Sequence, residues 1–334
     1  MFVALAEFYS VVSQDGVTWS QHALPVGGPW SELIWNGSVF CAVAISGDEA
    51  IVSSDGITWT QSTLPISAAW VSLTYGAGVF CAFAHSTAVA ATSPDGVTWT
   101  QRTLPVSAEW SKAVWTGSKF CIVSWPGTVS LTSPDGVTWT QGAMPAGTTT
   151  WSNLAWNGTV FCAVAFSTAV AATSPDGLTW TQRTLPVSAM WLHLAWSGSI
   201  FCAMDGGTAS TVAATSPDGI TWTQRTLPAS VEWSNLVWTG SIFCAVAYGS
   251  SVAATSSDGA TWSQWALPSV TDWRALVWDG QTFCTVADGT VGGATSPNGA
   301  TWTQHNLPIS SAGWLLAAVP AQGFWKNFRR SIEL

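Results

Sequence analysis

Short apolar segments alternate with polar turns along the whole chain, and the alternation repeats with a fixed period. Each apolar segment has about four to six residues and is bounded by Gly, Asn, Asp or Pro, which is typical of strands and too short for helices. The 3.6-residue period of helical repeats does not occur in the sequence. The pattern predicts an all-β chain in which each repeat contains four antiparallel strands, here called A, B, C and D.

The repeat is marked by the phrase Ser-x-Asp-Gly-x-Thr-Trp, which recurs at spacings of 40 to 42 residues. The position after Ser-x is occupied by Asp15, Asp55, Asp95, Asp135, Asp176, Asp218, Asp258 and, as an amide variant, Asn298. About 40 residues per four-stranded unit fits the blade of a β-propeller. Because Asp accepts backbone hydrogen bonds and Gly tolerates a left-handed conformation, we interpret the phrase as a structural turn and not a catalytic one.

The two ends of the sequence predict how the ring closes. The segment from Phe2 to Ala6 matches strand B of the later repeats, whereas Trp314 to Ala318 has the pattern of strand A and no complete repeat follows it. We therefore expect one domain over residues 1–319 with eight blades, seven complete and one shared by residues 1–24 and 314–319. Sharing a blade removes two open sheet edges. The alternative is a ring of seven blades with the terminal pieces outside it.

Twenty-five Trp residues are present, and most recur at fixed positions of the repeat. Eight follow the Asp-Gly turn, eight open strand A and six end strand A. Aromatic rings can serve as platforms for sugars, but rings that recur in every blade are explained by packing between neighbouring sheets. Trp125, Trp265 and Trp325 fall outside this scheme and are the better functional candidates.

Each of the seven Cys residues occupies the same position of strand B, once per complete blade. Packed sheets lie ~10 Å apart, which exceeds the ~7 Å that a disulfide spans between Cα atoms. We therefore predict reduced, buried thiols and folding in a reducing compartment.

Charged residues make up 8% of the chain, and the net charge is −9 with nine Lys and Arg residues in all. Such a chain lacks the basic surface that binds phosphate, so a nucleic-acid partner is not expected. It also shows no basic leader and no apolar run that could span a bilayer, so we expect a soluble protein that is neither exported by the ordinary secretory route nor inserted in a membrane. No Cys or His spacing indicates a metal site, and no cofactor is expected.

Variation between the repeats indicates where a ligand could bind. Two insertions, in residues 144–151 and 204–211, lie in a link from strand D to strand A and in a BC turn, and loops of both kinds emerge on the same face of a propeller. The candidate ligand-binding residues at the tips of the BC turns are Asp48, Glu49, His85, Trp125, Phe166, Asp205, Tyr248 and Asp288. Binding residues concentrate on loops of a rigid scaffold. The alternative is that these tips vary freely because nothing constrains them.

A second varied series is the third residue of strand A, which is expected to line the central channel. Its members are Glu32, Ser72, Lys112, Asn153, His193, Asn235, Ala275 and Leu316. Such a mixed ring is compatible with an unspecialised, watery lumen or with a site.

Residues 320–334 leave the repeat pattern and combine aromatic with basic side chains. They include Phe324, Trp325, Lys326, Phe328, Arg329 and Arg330. A basic, aromatic tail on an acidic ring suggests an anchor into a partner protein. The alternative is that the tail caps the edge of its own ring.

The repeat phrase resembles the Asp-box of sialidases and related propellers, although one residue fewer separates Asp from Gly here. More closely, the run Ala-Ala-Thr-Ser-Pro-Asp-Gly-x-Thr-Trp-Thr-Gln-Arg-Thr-Leu-Pro, at 90–105, 171–186 and 213–228, is similar to the repeat of many bacteriophage tail-fibre and virion proteins. This resemblance implies a virion structural protein of the tail-fibre, receptor-binding or head-decoration kind. It would be made in the host cytoplasm, join other virion proteins through its tail and contact a host-surface glycan or a partner.

Sialidase chemistry needs an Arg cluster with Tyr and acid partners, and Arg274 is the only Arg near the varied loops. The sequence also lacks a Gly-x-Ser-x-Gly elbow, a phosphate-binding loop and paired His residues. We therefore expect the chain not to be an enzyme, with a glycosidase as the enzymatic alternative. A cellular lectin-like propeller is the alternative among binding proteins.

Overall fold

The structure, a computed structural model, describes residues 1–147 and 150–320, and these residues form β-strands joined by turns. The strands of the first half of the ring are β1 (Phe2–Leu5), β2 (Tyr9–Ser13), β3 (Ser20–Ala23), β4 (Trp30–Trp35), β5 (Phe40–Ala44), β6 (Glu49–Ser53), β7 (Thr60–Thr63), β8 (Trp70–Gly76), β9 (Val79–Ala84), β10 (Thr87–Ser93), β11 (Thr100–Ala108), β12 (Trp110–Trp115), β13 (Phe120–Ser124), β14 (Val129–Ser133) and β15 (Thr140–Ala143). The remaining strands are β16 (Trp151–Trp156), β17 (Phe161–Ser174), β18 (Thr181–Trp196), β19 (Phe201–Asp205), β20 (Ser210–Ser216), β21 (Thr223–Trp238), β22 (Phe243–Tyr248), β23 (Ser250–Ser256), β24 (Ser263–Trp278), β25 (Phe283–Asp288), β26 (Gly292–Ser296), β27 (Thr303–Asn306) and β28 (Leu315–Ala318). A helix long and apolar enough to cross a membrane is absent from the described ranges.

Within the described residues the strands form eight four-stranded antiparallel sheets, numbered here as blades 1 to 8. Blade 1 contains β28, β1, β2 and β3, and blades 2, 3 and 4 contain β4–β7, β8–β11 and β12–β15. In the other half, β17 provides both strand B and strand C of blade 5. Strands β18, β21 and β24 each continue from strand D of one blade into strand A of the next. Blades 5 to 8 are therefore joined in one hydrogen-bonded series.

Blade 1 closes the ring by combining the two ends of the repeat region. Strand β28 pairs antiparallel with β1, with a register that runs from Phe2 opposite Ala318 to Leu5 opposite Leu315. The predicted propeller, with a blade shared between distant parts of the chain, is confirmed, and within residues 1–147 and 150–320 the blade count is eight. The alternative of seven blades is wrong, because β28 supplies the missing strand A.

The core is divided among the interfaces between neighbouring blades. Among the described residues, eight clusters of buried side chains each combine residues from two adjacent blades. Each cluster contains one Trp that opens a strand A, namely Trp30, Trp70, Trp110, Trp151, Trp191, Trp233, Trp273 or Trp314. The recurring Trp residues thus pack one sheet against the next, as the sequence predicted.

The seven Cys side chains are free and buried in these interfaces. Burial raises the pKa of every one of these thiols, and that of Cys202 reaches about 12. They remain protonated at neutral pH and act as small apolar side chains in the core.

The Asp-Gly phrase forms a hydrogen-bonded turn between strands C and D. In blade 3, the Asp95 carboxylate accepts the backbone N–H groups of Thr98 and Val97 at 2.8 and 2.9 Å. The hydroxyl of Ser93 accepts the N–H of Gly96 at 2.8 Å, and Gly96 has a φ of 77°, which favours glycine. These hydrogen bonds lower the pKa of Asp95 below its ordinary value, and the pKa of each of the other six turn Asp residues is lowered as well. The phrase is therefore a structural element of the blade.

We expect the turn carboxylates to make the ring sensitive to acid. Because their folded-state pKa values are lowered, their contribution to stability is complete above about pH 4 and is lost as pH falls through the folded-state values. Asn298 shows that an amide makes the same two backbone hydrogen bonds, to Ala300 and Thr301 at 2.9 Å each. Replacing Asp95, Asp135 and Asp258 by Asn should therefore change stability at pH 7 by less than about 1 kcal/mol per site.

The same triple variant should lose less of its thermal stability between pH 5 and pH 2 than the unmodified chain does. Thermal midpoints recorded at half-unit pH steps measure the difference, and Ser93→Ala is a control that weakens one turn without removing a titrating group. Parallel midpoint curves for the triple variant and the unmodified chain would contradict the assignment of acid sensitivity to these carboxylates.

Candidate functional site

One face of the ring, here called the BC face, carries the BC turns and the links from strand D to the next strand A. The first residue of strand A pairs with the last of strand B, as Trp30 does with Ala44. The first residue of strand C pairs with the last of strand D, as Glu49 does with Thr63. The AB turns and the Asp-Gly turns therefore lie on the opposite face, and the varied loops are gathered on the BC face.

The third residues of strand A line a central channel, as expected from the sequence. The channel contains a cavity of 620 Å³ toward the BC face and one of 330 Å³ toward the other face. The larger cavity is lined by Glu32, Ser72, Lys112, Asn235, Ala275 and Leu316, and the smaller by Lys112, Asn153, His193 and Asn235. Since Lys112 and Asn235 contribute to both, they lie where the two cavities meet.

Two of these channel residues accept hydrogen bonds from the following blade. The Glu32 carboxylate accepts the backbone N–H of Leu73 at 2.7 Å, and the Ser72 hydroxyl accepts that of Ala113 at 3.1 Å. Both partners lie in the strand A of the next blade. These side chains therefore link neighbouring inner strands in addition to lining the channel.

Two further channel residues donate hydrogen bonds to the following blade. The Asn153 amide donates to the carbonyl of Leu192 at 2.9 Å. The His193 Nε2–H donates to the carbonyl of Trp233, also at 2.9 Å. These channel side chains therefore stabilise the contact between neighbouring blades. The sequence pattern did not reveal this role, because each hydrogen-bond partner lies about 40 residues away, in the next blade.

Burial in the channel wall shifts the pKa values of Glu32 and His193 toward their neutral forms. Burial raises the pKa of Glu32, although the nearby Lys112 ammonium and the N–H of Leu73 oppose this rise. Burial lowers the pKa of His193, and the positive charge of Lys112 contributes in the same direction. His193 is therefore neutral at pH 7, and Lys112 contributes a basic side chain to the channel wall.

Trp125 and Phe166, both predicted site residues, contact each other across two blades on the BC face. Their ring centroids are 5.6 Å apart and the planes are inclined by 49°. Both side chains are half-buried, and Trp125 also lines the larger cavity. This pair provides an aromatic surface at the edge of the cavity.

Asp205 is used largely by its own loop. Asp205 is 9% exposed. Its carboxylate accepts the N–H groups of Met190 and Gly207 and the hydroxyl of Ser210 at 2.7 to 3.1 Å. These bonds stabilise the enlarged BC turn of blade 6 and leave little of the carboxylate for a ligand.

Asp288 and Tyr248 lie near Arg274, where blades 7, 8 and 1 meet. Asp288 accepts the N–H groups of Gly313 and Trp314 at 3.0 and 3.2 Å and lies 3.5 Å from the Arg274 Nε. The hydroxyl of Tyr248 is hydrogen-bonded to Asp272, which raises the pKa of this Tyr. Asp288 thus orders the approach to β28 and also positions Arg274.

The remaining predicted residues form local pairs at the rim. His85 Nε2 lies 3.7 Å from Glu109 Oε2, and both side chains are partly exposed. The Glu49 carboxylate accepts the N–H of Asp48 at 3.1 Å. These groups remain accessible on the BC face, at other blades than the aromatic pair.

Arg274 and Lys112 both line the larger cavity, although neither was among the candidate residues of the BC turns. The sequence placed Lys112 in the strand A series that was expected to line the channel, and it placed Arg274 near the varied loops. Trp265, in contrast, belongs to the outer strand. Its indole N–H donates to Thr255 at 2.8 Å, as the guanidinium Nε of Arg102, Arg183 and Arg225 donates to the equivalent Thr of those blades.

In the ranges 1–147 and 150–320, no group of three or more His, Cys, Asp and Glu side chains is arranged to hold a metal ion. The predicted anchor residues Phe324, Trp325, Lys326, Phe328, Arg329 and Arg330 lie outside the described residues.

No protein-family model and no curated protein matches this sequence. Solved structures with the same architecture were found by their shape. YCF48 bound to a D1 peptide is 15% identical, with 96% of this chain and 97% of that chain covered and a TM-score of 0.62. Virginiamycin B lyase from Staphylococcus aureus is 8% identical over 86% of this chain and 96% of that chain, with a TM-score of 0.66. Apo AztD from Citrobacter koseri is 10% identical, with 95% and 97% covered and a TM-score of 0.66.

These similarities correct one prediction from the sequence. The expectation that the chain is not an enzyme is wrong as it was argued, because virginiamycin B lyase is an enzyme and has this architecture at 8% identity. A substituted form of that lyase, solved with quinupristin, is described as catalytically inactive. Missing catalytic motifs of other families therefore do not exclude catalysis on a propeller. The chain shares with all these structures the β-propeller fold.

Proposed function

We propose that this chain is a component of a bacteriophage virion that binds a host-surface glycan or a partner protein on its BC face. The observation that carries the proposal is the 620 Å³ cavity toward that face, edged by Trp125 and Arg274. Its volume lies in the range of ligand sites, about 300–1,000 Å³. The recurring Trp, Cys and Asp residues are engaged in packing and turns, so we assign binding to the varied residues around this cavity.

The virion setting is supported by the resemblance of the repeat to those of bacteriophage tail-fibre and virion proteins. The seven free, buried thiols are also compatible with synthesis in a reducing host cytoplasm and later residence in the particle. A protein partner is supported by YCF48, which has this fold and was solved with a bound peptide. Anchoring of residues 320–334 in another virion protein is part of the same proposal.

Replacing Trp125 by Ala is expected to weaken binding of the purified chain to host cells by roughly tenfold or more, since aromatic anchors dominate binding surfaces. Trp265→Ala is the matched control, because Trp265 is 37% exposed but lies on an outer strand away from the cavity. A cell-binding titration with fluorescently labelled protein measures both. Equal binding by the two variants would contradict a ligand site at Trp125.

The aromatic pair also favours a second candidate, a cellular lectin-like propeller, because paired rings provide a platform for sugars. The gene neighbourhood distinguishes the two settings. Portal, capsid and tail genes beside this one would support the virion component, and their absence together with an intact cellular operon would support the lectin.

A further inference from the structure

Lys112 is an unpaired cation within the channel. It is the third residue of β12, its side chain is exposed in both cavities, and it makes no hydrogen bond or ion pair with any described residue. The other basic side chains described are engaged: three Arg residues bond to Thr in strand C, Lys119 donates to the carbonyl of Asp176, and Arg274 is paired with Asp288. An unpaired ammonium in a partly enclosed space is a binding group for an anion.

Among the described residues, no neighbouring channel residue forms an ion pair with Lys112. The carboxylate of Glu32, the acidic member of the strand A series, accepts the N–H of Leu73, and burial raises its pKa although the charge of Lys112 opposes this rise. His193 donates to Trp233 and is neutral. Asn235, in the strand A of blade 7, lines both cavities as Lys112 does. Its side chain makes no hydrogen bond with a described residue, so the amide N–H groups are free to donate to an anion.

Arg274 adds a second positive group at the mouth of the same cavity. Its side chain is 59% exposed, and its Nε lies 3.5 Å from Asp288, which leaves the remaining guanidinium N–H groups accessible. The larger cavity is thus lined by two cations, although the protein as a whole has a net charge of −9. Long-range repulsion from that net charge is screened within ~10 Å at moderate salt, so local groups decide what binds here.

We propose that the larger cavity binds a sugar acid, with its carboxylate at Lys112 and Asn235 and a pyranose ring against Trp125. A carboxylate accepts from ammonium and amide donors, and the apolar C–H face of a pyranose packs on an indole ring. The Trp125–Phe166 contact holds that indole at the edge of the cavity. The aromatic surface at the edge of the same cavity is the reason to assign a saccharide and not an acidic peptide. This inference rests on the proposed function, since it specifies the ligand of the BC face.

Isothermal titration of the full chain with digalacturonate tests the proposal, with neutral galactobiose as the matched ligand. We expect binding of digalacturonate, at least tenfold weaker binding of galactobiose, and an affinity that falls with added NaCl. Lys112→Met should reduce digalacturonate affinity at least tenfold, whereas Lys112→Arg should retain most of it. Lys119→Met is the matched control and should bind like the unmodified chain, because Lys119 lies on the opposite face.

Equal affinity for the acidic and neutral disaccharides, or an unchanged affinity in Lys112→Met, overturns the inference. So does binding of a polyglutamate peptide or of inorganic phosphate without binding of digalacturonate. Circular dichroism of each variant separates a folding defect from a lost contact. If the unmodified chain binds host cells, Trp125→Ala weakens that binding and digalacturonate does not bind, the sugar-acid assignment fails and the proposed function stands. If the unmodified chain binds neither cells nor disaccharides, both fail.

Discussion

A chain ending at Gly313 is expected to lose the closed ring. It lacks β28, so β1 loses its four paired residues and becomes an open sheet edge. It also lacks Trp314, which is 2% exposed in the interface between blades 8 and 1. Loss of a buried Trp alone costs about 3–5 kcal/mol, a large part of the roughly 5–15 kcal/mol by which domains are stable.

The expected result is a thermal midpoint lower by more than about 10 °C, or an aggregated protein, since a whole strand is lost with the Trp. A chain ending at Pro320 is the control and should keep its midpoint within a few degrees, because every described strand pair lies before that residue. Equal midpoints for the two chains would contradict closure by β28. The control chain also tests the anchor proposal, since unchanged incorporation into particles would contradict a role of residues 321–334 in docking.

Replacing Trp191 by Ala is expected to destabilise the ring by about 3–5 kcal/mol. Trp191 is fully buried between blades 5 and 6, and its indole N–H donates to the carbonyl of Thr168 at 3.0 Å. Urea unfolding followed by Trp fluorescence and circular dichroism measures the loss. Trp265→Ala, on the outer strand, should cost less than about 1.5 kcal/mol because it loses one exposed contact and one hydrogen bond.

A finer comparison separates packing from hydrogen bonding in these interfaces. Trp70 is as buried as Trp191, but its indole N–H has no hydrogen-bond partner among the described residues. Trp191→Phe leaves the Thr168 carbonyl without its donor, whereas Trp70→Phe removes an N–H group that is already unpaired. We therefore expect Trp191→Phe to cost about 1 kcal/mol more than Trp70→Phe. The reverse order would show that shape complementarity, and not hydrogen bonding, dominates at these two positions.

The fold could be predicted because each blade repeats the same local information. The Asp95 turn depends on residues within five positions along the chain, and Asn298 supports the same turn with an amide. Strand length and alternation depend on equally local patterns. Closure by β28 could also be predicted from the sequence. The first repeat lacks a strand A, and residues 314–318 have the strand A pattern but are not followed by a complete repeat.

The candidate site was predicted less completely because its residues come from different blades. Trp125 and Phe166 were selected as varied loop residues, but their contact depends on how blades 4 and 5 are placed side by side. Asp205 was selected for its charge, and the structure shows that its own loop uses that charge. The prediction that the chain is not an enzyme was wrong as argued, because it compared motifs of other families, and virginiamycin B lyase is an enzyme with the propeller fold.

The sequence by itself determined the repeat, the all-β propeller, the shared blade and the buried thiols, because each follows from residues close together in the chain or from their strict recurrence. Only the tertiary structure decided that Lys112 is unpaired, that Glu32 and His193 bond to the next blade, and that Arg274 lies at the same cavity. Residues about 40 positions apart become neighbours only when the ring has formed. A pattern that repeats along the chain does not reveal which side chains the channel brings together.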